Sequence, residues 1–383
     1  MGSDFEMKPF DILIVGAGIV GCAIARESSL HGWRVGLIES RAPASGATGA
    51  GMGHVVVMDD SPAQLALTAF SRSLWQRDAV NLPRSAEYEQ TSTIWVAADN
   101  EEMAEVHARQ QLYRDYGIGA DVLTAAALHD CEPNLRVGLA GGLRVPGDGV
   151  VYPPAAAGFY LSEARRFGAQ VFGTRAISAC EGRVVLDDGT TLTAERIVLA
   201  TGAECELLPA LPIQKRKGHL IITDRYPGFV RHQLVELGYL KSAHKVSEDS
   251  VAFNIQPRQT GQLLLGSSRQ YGSDDPAAEP EMLRRMVDRA AEYMPGLRNL
   301  SAIRAWTGFR AATADKLPII GPSTGLSEDP SLWLAVGFEG LGITNAPGAA
   351  RLLLDRMIGR ESAIDATPFL PARLVEPARL AHA

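Results

Sequence analysis

A mixed α/β fold is what this sequence predicts, and three observations predict it. A β-branched run, Phe10-Asp11-Ile12-Leu13-Ile14-Val15, passes directly into Gly16-Ala17-Gly18-Ile19-Val20-Gly21 and then into a helical stretch. A buried parallel strand followed at once by a helix is how a βαβ unit opens. Residues 215–302 instead carry short alternating runs, Leu220–Thr223, Val251–Gln256 and Leu263–Gly266, which read as an antiparallel sheet with one wet face. The 383 residues allow about two domains at roughly 100–200 residues each.

Composition narrows the function classes. With 46% hydrophobic and 21% charged residues the chain is globular rather than disordered. A net charge of −7 argues against a general nucleic-acid or anionic-membrane binder. Cys22, Cys131, Cys180 and Cys205 are scattered, which excludes a sequence-visible zinc ribbon, iron–sulfur run or disulfide framework and fits a reducing compartment. No metal site is expected. The longest apolar run, Ile12 to Ala25, has 14 residues and three glycines, short of the roughly 20 that span a bilayer. Met1–Glu6 reads as a polar leader ahead of Met7 and stands outside the fold reasoning.

The elements follow in order. The helix after the first strand runs from about Ile19 to His31, with Gly32 as its C-terminal cap, and Trp33–Ile38 is a second strand ending at Glu39. Gly16 permits the tight turn, Gly18 removes a Cβ that would block a pyrophosphate, and Gly21 lets helix and strand approach closely. The helix N-terminus, at Ile19 and Val20, offers N–H groups to phosphates. Glu39, followed by Ser40 and Arg41, lies 23 residues beyond Gly16, where a carboxylate accepts ribose hydroxyls. An acid rather than Arg at this point favours FAD or NAD over NADP. The alternative is a glycine-rich turn without a ligand. The loop Ser45-Gly46-Ala47-Thr48-Gly49-Ala50-Gly51-Met52-Gly53-His54 is built of small residues that can lay N–H groups along a second phosphate.

Five motifs in order now carry a resemblance: Gly16–Gly21 with Glu39; the Ser45–His54 loop; Arg196–Ala203, a buried strand entering a Thr201-Gly202 turn; Trp306-Thr307-Gly308-Phe309-Arg310 followed by Leu317–Pro322; and Gly337-Phe338-Glu339-Gly340-Leu341-Gly342-Ile343-Thr344. Together they resemble the D-amino-acid oxidase family of flavoproteins, over nearly the whole chain from Met7. That superfamily includes glycine and sarcosine oxidases and the flavin subunits of D-hydroxyproline, opine and hydrogen-cyanide-forming dehydrogenases. The resemblance implies an FAD-binding Rossmann-like (GR2-type) α/β domain with a second, mainly antiparallel β substrate domain. It implies a bound FAD, with cofactor contacts extending to Gly51, Met52, Ala176, Thr201, Gly202, Gly340, Leu341, Gly342, Ile343 and Thr344. A helix beginning near Thr344 would point its N-terminus at the flavin pyrimidine. Relatives with a covalent flavin carry Cys near the fourth motif or His in the second; here those stretches are Ala311-Ala312-Thr313 and Gly49-Ala50, so the FAD is expected to be non-covalent.

In the resembled family the Arg of the fourth motif grips the substrate carboxylate, which makes Arg310 the main substrate residue; a guanidinium fork suits planar bidentate recognition. An ion pair with Asp315 is the alternative. The sequence departs from its relatives at Gly340, where glycine oxidases carry a second Arg; at Thr344, where sarcosine oxidases carry Lys; at Phe338, a frequent His; and at Asn254, a frequent Tyr. His54, Glu339, Asn254 and Tyr239 are further site candidates, each with a structural alternative.

The expected division is 7–86, 148–214 and 303–383 for the FAD-binding domain and 87–147 with 215–302 for the substrate domain. Within these, Ser92–Ala97 reads as a strand, Glu101–Tyr116 as a helix and Asp187-Asp188-Gly189 as a hairpin turn. The expected reaction is FAD-dependent oxidation of the C–N bond of a small amino or imino acid, by hydride transfer to flavin N5 giving an imine. Candidate substrates are a D-amino acid, D-proline or hydroxyproline, sarcosine or glycine, or an opine. Two alternatives stand: an NAD(P)H-using flavin hydroxylase, which would want a different turn at Gly337–Gly340, and a flavin-bearing electron-transfer or scaffold subunit without its own substrate. Expected partners are the small substrate and either further dehydrogenase subunits or a second copy of the chain, with no nucleic acid and no integral membrane segment. The expected location is the cytoplasm, with membrane association only through a partner or electron acceptor.

Overall fold

The computed structural model describes residues 8–238 and 249–374. Among these residues two eight-stranded sheets and a two-stranded ribbon organise the chain. The first sheet runs Ile319–Pro322, Leu332–Val336, Thr191–Leu199, Phe10–Val15, Val35–Ile38, Gln170–Phe172, with the strands Ala176–Cys180 and Arg183–Leu186 continuing from Thr191–Leu199. Its centre is parallel: Ile12 stands opposite Val35 on one side and Arg196 on the other. Such strands are covered on both faces, which is why Ile12, Leu13 and Ile14 are fully buried and the sequence there does not alternate.

The helices Ile19–Leu30, Pro153–Arg166 and Gly342–Met357 share one core, with Ala23, Ala25, Ala156, Ala157, Ala349 and Ala350 at their contacts. Small side chains let the helix backbones approach one another while the apolar stripe stays closed. Pro347 lies inside the last helix and has no N–H to offer the Ile343 carbonyl. The buried Trp75 replaces that donor: its Nε1 donates to the carbonyls of Ile343 (3.2 Å) and Thr344 (3.0 Å). The C-terminal helix is thereby fastened to the helix Pro62–Asp78.

The second sheet runs Ala302–Ala312, Gln214–Arg225, Gln262–Tyr271, Ser250–Pro257, Gln233–Glu236, Thr93–Ala97, Gly141–Val145, Asp121–Thr124. It is antiparallel except where Gln233–Glu236 meets Thr93–Ala97. One face buries Ile94, Val96, Leu234, Phe253 and Ile255 against the helix Pro280–Tyr293; the other looks toward the first sheet.

Two sequence expectations change here. Residues 303–383 are expected in the FAD-binding domain; within them, Ala302–Ala312 pairs with Gln214–Arg225 and forms an edge of the second sheet. Periodicity identifies a strand; it does not say which sheet the strand joins. The helix expected near Thr344 begins at Gly342. The hairpin turn at Gly189 has φ +86°, and the helix Asn100–Asp115 lies one residue from its expected bounds.

Candidate active site

The helices of the first sheet and the open face of the second meet across a cavity of about 860 Å³. Gly16, Gly18, Ile19, Val20, Glu39, Ser40, Arg41, Ser45, Thr48, Gly51, Met52, Ala176, Thr201, Gly202, Gly340, Leu341, Gly342 and Ile343 lie on its wall, as do Arg310, His54, Asn254 and Glu339. Thus segments from both ends of the chain face one space.

At one end the geometry is that of the glycine turn. Gly16 has φ +108°, and a Cβ there would fall 2.5 Å from the Ala200 carbonyl oxygen. A Cβ on Gly21 would fall 1.9 Å from the Gly16 carbonyl oxygen, so Gly21 serves the helix–turn packing and does not line the cavity. The N–H of Ile19 donates to Thr48 Oγ1 (3.0 Å), which fixes the small-residue loop to the start of the helix. Glu39 accepts the N–H of Ala17 at Oε2 (2.8 Å) and that of Arg41 at Oε1 (2.9 Å). A carboxylate has about four lone-pair positions, so its oxygens can still receive ribose hydroxyls. A helix N-terminus opening on the cavity, a turn without Cβ atoms and a strand-end acid fit the adenosine diphosphate portion of a dinucleotide.

At the other end, the helix Gly342–Met357 directs its N-terminus at the same space, which favours negative charge there. The turn before it is pinned on two sides. The Glu339 N–H donates to the Ala311 carbonyl (2.8 Å), and the Glu339 carboxylate accepts from Arg216 on the neighbouring strand. Glu339 has φ +53°, an uncommon conformation for a residue with a Cβ, and these contacts hold it there. Glu339 is therefore half of a buried ion pair rather than an isolated acid. Thr344 does not line the cavity: its hydroxyl donates to the His54 carbonyl (2.8 Å) and accepts from the Val56 N–H (3.4 Å), which ties the helix to the loop.

The fourth motif explains itself on the strand Ala302–Ala312, where Trp306, Gly308 and Arg310 share a face. Trp306 Nε1 donates to the Ala50 carbonyl (3.2 Å). A Cβ on Gly308 would sit 2.5 Å from the Ala50 Cβ, so the loop can approach only a glycine. Arg310 then crosses Gly218 on the next strand, where a Cβ would meet its Nη1 at 2.5 Å, and donates to the Ser268 carbonyl (3.0 Å) one strand further. The guanidinium so lies over the sheet facing the cavity. Asp315 is not its partner; Asp315 pairs with Arg373 (2.7 Å).

His54 is held beside this guanidinium. Burial, with the positive charge of Arg310 adding to it, pushes its pKa down to about 4, so the ring is neutral at pH 7. Asn254 is 6% exposed and its Oδ1 has no protein partner. Tyr239 lies outside the described residues.

Sequence reading missed Arg216, Gly218, Arg269, Gln233 and Trp95, all on the cavity wall. Only Leu220–Thr223 of the Gln214–Arg225 strand is recognisable as such, because its opening, Gln214-Lys215-Arg216-Lys217-Gly218, is polar and reads as a loop. A signal was present: Arg216 and Gly218 alternate in step with Arg310 and Gly308, their partners in the register. Arg216 pairs with Glu339, the residue before Gly340, while the cation beside Gly340 itself is Arg310, whose Nε would lie 3.5 Å from a Cβ there.

The profile of the family described as FAD dependent oxidoreductase (DAO) matches residues 11–356. The chain is 27% identical to the glycine oxidase of Geobacillus kaustophilus over 379 residues, covering 94% of this chain and 96% of that protein. That organism's glycine oxidase crystal structure superposes with a TM-score of 0.84 at 25% identity, over 96% of this chain and 99% of that one. Hydrogen cyanide synthase subunit HcnC of Pseudomonas protegens is 25% identical, covering 96% of this chain and 97% of that protein. The fold is also that of L-proline dehydrogenase from P. horikoshii, with a TM-score of 0.87 at 22% identity over 97% and 99% of the two chains.

Proposed function

From the premise that this chain belongs to the family of FAD-dependent oxidoreductases, we propose that it oxidises the C–N bond of a small amino or imino acid, with Arg310 as the anchor of the substrate carboxylate. The observation that carries this reading is the Arg310 guanidinium, laid across Gly218 into a cavity that also receives two helix N-termini. Glycine oxidases are among the relatives over nearly the whole length, which supports an amine-bearing acid as the substrate.

FAD bound here supplies a hydride acceptor at N5. The protein's residues do the rest. Arg310 binds the carboxylate and so orients the Cα–H toward the ring. The substrate enters with a neutral amine. As Cα gives up its hydrogen with the bonding pair, the nitrogen lone pair forms the C=N bond, giving a protonated imine that releases its N–H proton to water to leave the imine. No protein base is required, and His54, neutral through pH 7, offers a hydrogen-bonding nitrogen rather than a charge. The flavin is non-covalent, since residues 49–50 and 311–313 hold neither Cys nor His. The proposed electron acceptor is a partner or carrier rather than oxygen, by analogy with HcnC, which is named as a subunit.

Anaerobic mixing with D-proline, 4-hydroxy-D-proline, sarcosine, glycine and an opine tests the proposal. Bleaching of the flavin absorption by at least one of them is expected, with slow recolouring in air. A flavin that stays oxidised with every one, yet is reduced rapidly by NADPH, would replace this reading with the hydroxylase.

A further inference from the structure

We infer that the cavity holds a second subsite beside Arg310, one that takes a neutral hydrogen-bond-donating group of the substrate, a hydroxyl or an amide N–H. The inference rests on the reading of Arg310 as the carboxylate anchor and extends it to the rest of the substrate.

Two buried side-chain oxygens on this part of the wall, Asn254 Oδ1 and Gln233 Oε1, have no protein hydrogen-bond partner, and beside them Gln256 and His54 hydrogen-bond to each other. Buried polar groups are rarely left in this state, and two of them on adjacent strands point to something that binds there. Their arrangement follows from the register. Asn254, Val235 and Trp95 stand side by side on three adjacent strands. Gln256 lies two residues from Asn254, and Gln233 two from Val235, so the pleat turns all of them to the same face. The two glutamines are also oriented. Gln256 Nε2 donates to the Met52 carbonyl (2.6 Å) and Gln233 Nε2 to Thr93 Oγ1 (3.0 Å). The Gln256 oxygen is taken up by His54, so what remains for a ligand is the Gln233 oxygen, which accepts and cannot donate, beside the Asn254 amide.

That chemistry selects. Asn254, Gln233 and Gln256 carry no charge, and His54 is neutral, so a second carboxylate gains no ion pair from these four and would meet acceptor oxygens. A methyl group would leave the oxygens unsatisfied, whereas a hydroxyl satisfies at least one of them. The reach fits a compact molecule. Arg310 binds the Ser268 carbonyl, and Asn254 stands opposite Gly266, two residues from Ser268 on the adjoining strand. By strand geometry that places Asn254 roughly 8 Å from the Ser268 carbonyl. Glycine and sarcosine have no group that extends so far; four- to six-carbon acids with a terminal or ring hydroxyl do.

The test uses the FAD-loaded full chain and ligands without an amine, so that binding is read apart from turnover. Titrations of 4-hydroxybutyrate against its isostere valerate, and of 5-hydroxyvalerate against hexanoate, are followed by perturbation of the visible flavin band. The hydroxy acid is expected to bind at least about tenfold more tightly in one pair, the scale on which a buried acceptor is satisfied or stranded. Asn254→Leu and Gln233→Leu are each expected to cut that preference while leaving valerate binding in place. Equal or tighter binding of the methyl-terminated acids in both pairs, the result for a pocket that is only water-filled, would overturn the inference. So would a preference that neither variant moves, or no perturbation by any of the four acids. The comparison within the wild-type protein decides even if a variant fails to fold. If the preference holds while no amino acid bleaches the flavin, the oxidation reading falls and the subsite stands.

Discussion

The two walls of the cavity hold their ligand groups by different means. The wall of the first sheet works with backbone. Its glycine turn, its helix N-terminus and Glu39 come from one stretch of 24 residues, Gly16 to Glu39, and the loop that completes it follows immediately. The wall of the second sheet works with side chains drawn from strands far apart in the chain: Arg216, Gln233, Asn254 and Arg310. Backbone recognition needs the absence of side chains, and absence is visible as glycine spacing. Side-chain recognition needs long residues brought into register, and the register belongs to the sheet.

The sharpest way to break this contrast is Gly16→Ala. A Cβ 2.5 Å from a backbone carbonyl, at φ +108°, forces the turn to shift. FAD affinity is expected to fall by more than about 1,000-fold, combining backbone strain with loss of the phosphate cradle, and the purified protein to be colourless. Flavin absorbance per chain measures it; a yellow variant with unchanged affinity would refute the backbone account. Next in size is Arg310→Leu. It should keep the flavin and lose about 100- to 1,000-fold in kcat/KM, the cost of stranding a carboxylate from its charged partner. Loss of FAD instead would place Arg310 on the other wall's side of the comparison.

Arg216→Leu tests the seam between the walls. It leaves Glu339 buried without its cation, and about 3 kcal/mol of stability should go with it, read as a lower urea midpoint. The double change Arg216→Leu with Glu339→Leu should recover much of that loss, because no stranded charge remains. The smallest effect is pH-dependent. His54 has a pKa near 4 in the fold against the usual 6.5. Between those values the unfolded chain takes up a proton that the folded chain refuses, so acidification through this window costs stability. At pH 5 this amounts to about 2 kcal/mol. Relative to the wild type, His54→Gln should gain about that much at pH 5 and nothing above about pH 7.5. Parallel melting profiles across the window would show that the ring titrates normally.

How much could be read in advance follows from the same contrast. The strand Phe10–Val15, the turn, the helix, Glu39 and the Thr201-Gly202 turn were all legible, because each is a local pattern with a local physical reason. Arg310 was legible only through its motif. Arg216 was not, since a polar strand opening looks like a loop until its partner strand is known. The pairing of Ala302–Ala312 with Gln214–Arg225 was not legible, and between the two readings of Glu339, site residue or structural polar group, the sequence could not choose, because neither Ala311 nor Arg216 is its neighbour in sequence.

By itself the sequence determined that a dinucleotide-binding βαβ unit opens this chain and that a late strand–turn–helix segment completes it; steric rules for glycine and the 3.6-residue helical period suffice for that. Only the tertiary structure decided that Arg310 lies flat over Gly218, that Glu339 is held by Arg216, and that three amides share one face beside a neutral histidine. Those outcomes depend on strand order and register, which are set by how the sheets bury their apolar faces against the rest of the molecule and not by any single stretch of residues.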